Sequence, residues 1–124
     1  MLSVNMDEND AIALLDAGAG LSPTECEAAA RAVDPYLRRT GRLNGLIIRA
    51  SAHADWNAFA ALAPHLRFAM DRHRAVTRIA LVTDADAADV ARRIAPHFVN
   101  AKIKLYPAAR LDQARAWILA SAYN

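Results

Sequence analysis

WNAFAALAPHLRFAMDRHR, residues 56–74, decides how the rest of the chain is read. At about 100° per residue, Leu62, Ala63, Leu66, Met70 and His73 fall near Phe59 on a helical wheel. The segment therefore predicts a helix with one apolar face. Pro64 lies inside it, where the missing N–H removes the bond to the Ala60 carbonyl and kinks the axis. Asp55 precedes it as the expected N-cap, a carboxylate set against free amides and the positive end of the helix dipole. Before this helix the chain reads as strand–helix–strand, and after it as two strand–helix pairs.

Toward the N-terminus, Leu43 to Ala50 contains Leu46-Ile47-Ile48, the near-continuous apolar run of a strand covered on both faces. Ser22-Pro23-Thr24-Glu25 announces a helix: Ser22 can cap the Glu25 amide, Pro23 sits where its missing N–H is harmless, and Glu25 can reach back. Loss of Ser22 costs about 1 kcal/mol. Cys26, Ala29, Ala30, Val33 and Leu37 recur at helical spacing as its buried face, and Gly41 follows an end near Arg39. Ala11 to Leu15 reads as a buried strand ended by Asp16, Gly18 and Gly20. Residues 1–9 read as an edge strand or a frayed terminus.

Toward the C-terminus, Thr77 to Val82 is a strand, and Asp84, Asp86 and Asp89 load the first turn of a helix that buries Val90, Ala91 and Ile94. Ala101 to Tyr106 alternates Lys102 and Lys104 with Ile103 and Leu105, as an edge strand would, before Pro107 breaks it. Arg110 to Ala122 is the last helix, burying Leu111, Ala114 and Ile118, with Trp117 flanking that face. The expected fold is α/β: a four- to five-stranded, mostly parallel sheet flanked by four helices, with right-handed crossovers, in one domain over residues 1–124.

Composition narrows the function classes. At 124 residues the chain buries a core without staples. Its 55% hydrophobic content leans on alanine, and 23% charged residues argue against disorder. The formal charge of +2 comes from a small arginine excess, without the concentrated basic face that nucleic acid requires. Cys26 is the lone cysteine, which excludes an intrachain disulfide and a cysteine metal set and fits a reducing cytoplasm. MLSVNMDEND lacks a signal-peptide layout, and no apolar run approaches the roughly 20 residues of a membrane span. The expectation is a cytoplasmic protein, at most peripheral to a membrane.

Catalytic signals are missing. No Gly-x-Ser-x-Gly elbow or glycine-rich phosphate loop occurs, and the four glycines are scattered. His65 and His73 stand eight residues apart, not the three or four that put ligands on adjacent turns. His53 and His97 lie in separate turns as surface or capping groups. Cys26 faces the core, where a thiol is inert. No catalytic residue, metal or cofactor is expected. The central helix offers more. Trp56, Phe59, Leu62, Leu66 and Met70 form an adaptable apolar lining, with Pro64 as a hinge that gates the space between helix and sheet, or as a static bend. Phe68 points away from that face, either covered by a neighbour or presented in an exposed apolar strip. Arg67, Arg72, Arg74 and Arg78 form a basic cluster, read as a solvated end favoured by the helix dipole or as a site for anionic lipid head groups or an acidic partner.

Several local signatures appear in a fixed order: LSPTECEAAA (21–30), LIIRA (46–50) followed by DW (55–56), RFAMDRHR (67–74), RIALVTD (78–84), APHF (95–98), KIKLYP (102–107) and ARAWI (114–118). In these, the chain from about Ala11 to Ala120 resembles the SpoIIAA-like family, a branch of the STAS-type fold. The resemblance implies a mixed sheet of four or five strands flanked by helices. It also implies kinship with lipid-carrying CRAL-TRIO-like folds and binding of apolar small molecules or membrane surfaces, and it does not imply an enzyme. STAS proteins carry an Asp-x-Ser-Gly phosphorylation motif after the second core strand. Here that loop reads Arg49-Ala50-Ser51-Ala52-His53, which keeps the serine but lacks the aspartate and the glycine. The expected function is binding of an apolar small molecule or lipid, a membrane surface, or both, through helix 56–74. The alternative is a STAS-type regulatory interaction module with Ser51 as its phosphosite, and a third reading makes Pro64 and Phe68 a homodimer interface.

Overall fold

Five strands form one sheet in the order in which they occur along the chain. The structure is a computed structural model that describes residues 3–7, 9–18, 22–40, 44–52, 54, 56, 78–94, 96 and 102–122. The elements are β1 (Ser3–Asp7), β2 (Ile12–Gly18), α1 (Pro23–Thr40), β3 (Gly45–Ala50), β4 (Arg78–Val82), α2 (Ala87–Ile94), β5 (Lys102–Tyr106) and α3 (Leu111–Ala122). β1 runs antiparallel to β2, and every later pairing is parallel. The expected α/β class and mixed sheet are therefore present. Of the fourth expected helix, Trp56 has helical backbone and the rest lies outside the described residues.

The strand order determines the layers. β2 to β5 are laid down in one direction, so right-handed connections place α1 and α2 on the same face. The core agrees. Ala29 and Val33 of α1 share one cluster with Val90 and Ile94 of α2 and with Trp56. Leu46 and Ile48 of β3 and Ile79 and Leu81 of β4 form the floor of that cluster. The residues between them, Ile47 and Ala80, turn to the other face, as strand alternation requires, and meet Ala114 and Ile118 of α3. The apolar run in β3 thus reflects a strand sandwiched between two layers.

Local chemistry fixes the ends. The Glu25 amide donates to Ser22 Oγ at 3.2 Å, so the expected cap is in place. Glu25 Oε2 does not return the bond; it is buried without a hydrogen-bond partner among the described residues. α1 continues through Pro35, which stands on its exposed side. β2 begins one residue later than expected and runs on to Gly18, because Asp16 and Gly18 pair with Arg49 and Ala50 of β3 across a register shift. Ala11 instead belongs to the turn, with φ 53° in the left-handed region, which costs a non-glycine residue about 1–2 kcal/mol. That turn is held twice over. Asp7 Oδ1 accepts from the Asn9 and Asp10 amides at 3.1 Å, and Asn44 donates to the Ala11 and Asp10 carbonyls at 2.6 and 2.7 Å.

Candidate functional site

The crossover face is an apolar floor. Ala13, Leu15, Leu46, Ile48, Ile79 and Leu81 are at most 1% exposed. The chain leaves β3 at Ala50, turns at Ser51 with the Ala54 amide donating to the Ser51 carbonyl at 3.1 Å, and then drops Trp56 onto this floor. Trp56 is 4% exposed. Ser51 is half-buried at the carboxyl end of the strand. Of the expected lining, Trp56 lies buried within this cluster. Phe59, Leu62, Leu66 and Met70, the hinge and strip residues Pro64 and Phe68, and Arg67, Arg72 and Arg74 lie outside the described residues.

Arg78, the last member of the expected basic cluster, faces the other side of the sheet from Trp56. It opens β4, and its Nη1 donates to the Trp117 carbonyl at 2.5 Å while its guanidinium sits 5.0 Å over the indole. Alternation along β4 explains this. Ile79 and Leu81 take the crossover face, which leaves Arg78 with Ala80 on the α3 side. Trp117 accordingly packs, as expected, but against Arg78 and, at 6.3 Å between rings, Tyr106.

The aspartates do not all cap α2. Asp86 does, accepting from the Asp89 amide at 2.9 Å. Asp84 instead accepts from the Ala108 amide at 3.0 Å, tying the end of β4 to the loop that enters α3. Asp89 binds Arg92 and Arg93 at 2.8 and 3.1 Å, which holds its carboxyl below the usual carboxylate range. Ala91 and Leu111, both expected inside, are half-buried.

Two openings flank this framework. One of about 270 Å³ lies at the carboxyl ends of β4 and β5, between Thr83, Ala85, Leu105 and Pro107. The buried Thr83 hydroxyl accepts there from the Ala85 amide at 3.2 Å. The parallel strand order never reverses, so this end lacks the switch-point crevice of doubly wound sheets. The other, about 680 Å³ and open, lies beside β1 on the α3 side, lined by Asn5, Asp7, Ile12, Leu14 and Arg115. Arg115 bridges Asp7 and, at 3.2 Å, Asp10. Nothing in the sequence signalled this clamp, since its partners stand 108 and 105 residues apart. The Asp10 amide, then Arg115, lower the Asp7 pKa.

That shift has a sign. A carboxyl lowered in the fold stabilises it fully above its unfolded value, about 3.9, and loses the contribution as pH falls through the lower folded value. Acid unfolding followed by circular dichroism should show this loss below about pH 4. Asp7→Asn should be less stable at neutral pH and should lack this part of the acid dependence.

No described helix is long and apolar enough to cross a membrane. Residues 14–119 match the family model described as SpoIIAA-like. Neither the curated proteins nor the solved structures compared give a match.

Proposed function

The chain belongs to the SpoIIAA-like family, and we propose that it is a non-enzymatic binding domain that takes an apolar small molecule or lipid, or a membrane surface, through the segment 56–74. The observation that carries this reading is Trp56. Its indole enters a cluster whose floor, from Leu46 to Leu81, is aliphatic. A segment that begins there starts on apolar ground. Any guest admitted between it and the sheet replaces one apolar contact with another, gaining about 0.8 kcal/mol for each methylene withdrawn from water. Such a domain works in the cytoplasm or at the inner membrane surface.

Native mass spectrometry of the purified chain tests the reading. A bound mass that extracts into organic solvent as a fatty acid or phospholipid is the expected result, with saturable uptake of a fluorescent fatty acid by the emptied protein. Co-sedimentation with anionic vesicles, in place of a bound mass, would locate the activity at a membrane surface. A chain that carries no lipid, takes up no fatty acid and ignores vesicles overturns it.

The position of Ser51 favours a second reading. It stands half-buried at the carboxyl end of β3, where a STAS switch would be modified. Phosphate on Ser51, or a kinase-like protein retained with the chain, would support a regulatory interaction module instead. A mass that rises with concentration in light scattering would point to the homodimer through Pro64 and Phe68.

A further inference from the structure

We propose that the outer edge of β5 is a docking edge for an extended acidic segment of a partner protein, which joins the sheet as a further strand. β5 ends the strand order, and no described strand pairs with its outer side. A free edge presents backbone donors and acceptors that an incoming strand can satisfy.

The side chains specify the guest. Lys102 and Lys104 are exposed and stand on the α3 side, while Ile103 and Leu105 are half-buried and pack against the crossover core. Arg78 is the register partner of Lys102 on the neighbouring strand and adds a third cation to the same side. Among the described residues, none of the three pairs with a carboxylate. Arg78 sits over Trp117, and the Lys104 ammonium sits 5.3 Å over the Tyr106 ring. Those contacts with aromatic faces leave the positive charge uncompensated. An incoming strand therefore meets cations on one face and aliphatic side chains on the other, so its best pattern alternates acidic and apolar residues.

The same lysines exclude competitors. Two β5 edges brought together would oppose like charges, which disfavours self-pairing and leaves the edge to a partner of opposite sign. A nucleic acid strand needs free aromatic faces for its bases, and here Arg78 covers the Trp117 ring and Lys104 the Tyr106 ring. A lipid surface would meet the cations yet leave the edge amides unpaired. The length is set as well. Pro107 closes the edge after Tyr106, and Lys102–Tyr106 spans roughly 17 Å, enough for about five residues of guest.

The test uses the whole chain and a fluorescein-labelled peptide of alternating Glu and Val, with a Lys/Val peptide as counterpart. Anisotropy should show saturable binding of the acidic peptide and none of the basic one. Lys102→Glu with Lys104→Glu should weaken the acidic peptide about tenfold and turn the preference toward the basic peptide. Lys104→Gln, a milder change, should give an intermediate loss, and circular dichroism checks that each variant folds. Amide exchange should slow at β5 when the acidic peptide binds. No binding, equal binding by the double variant, or binding without protection of the β5 amides overturns the proposal. Charge-dependent binding of anionic vesicles or an oligonucleotide that leaves those amides unprotected would overturn it too, and show a basic surface only.

Discussion

Gly45→Ala is expected to destabilise the chain by about 1–3 kcal/mol, as overpacking of a filled core does. A Cβ at Gly45 would stand 2.5 Å from Ile118 Cγ2, 2.8 Å from Cδ1 and 2.9 Å from Cγ1. Ile118 cannot give way easily. It is fully buried, and a β-branched side chain in a helix is held to essentially one χ1 rotamer, so α3 itself must lift from the sheet. The sign of the result is informative, because backbone entropy alone favours alanine over glycine inside a strand by about 0.5–1 kcal/mol. Urea unfolding should give a lower midpoint at unchanged slope. Ile118→Ala alone should cost about 2–5 kcal/mol. Combined with Gly45→Ala it should cost clearly less than the sum, since the new methyl then enters space the isoleucine vacated. Additive losses would mean that the two residues do not touch.

Trp56→Ala is expected to have the largest effect of all, about 3–5 kcal/mol, the usual cost of truncating a buried aromatic. At 4% exposure the indole has little solvent to fall back on. The loss is a large share of the 5–15 kcal/mol that holds a domain of this size. Thermal unfolding should show a broad drop in midpoint, with Trp56→Phe much milder. Trp117→Ala is the comparison. Trp117 is half-buried, so its truncation should cost less, and the part it does cost should include the Arg78 contact. Equal losses at the two tryptophans would contradict the placement of Trp56 within the apolar cluster.

The residues made much of this architecture legible, and physics says which parts. Leu46-Ile47-Ile48 announced a strand covered twice because a one-sided strand would have alternated. The two lysines of β5 announced an edge because a covered strand would not tolerate them. Ser22 and Glu25 announced the start of α1 through a bond that spans three residues. All of these signals are local. What stayed hidden depends on distant partners. The Arg115 clamp on Asp7 and Asp10 joins the two ends of the chain, and the close fit of Gly45 under Ile118 requires the sheet and α3 to be assembled first. Asp84 looked like a capping residue because it stands beside one. Its actual partner, Ala108, arrives only when β5 has been laid down next to β4. β2 outran its expected end for the same reason, since a strand lasts as long as its neighbour offers pairs.

Of the expected ligand lining, Trp56 can be read directly, and it can be made to report by itself. In a Trp117→Phe chain it is the remaining tryptophan, because the sequence holds two. Its emission should be blue-shifted by the apolar cluster. Titration with a fatty acid brominated along its acyl chain should quench that emission saturably, since heavy-atom quenching requires contact, while the unbrominated acid competes the quenching away. A blue-shifted Trp56 that no concentration of the brominated acid below its micelle point can quench would contradict a lipid or apolar guest beneath the segment that begins there.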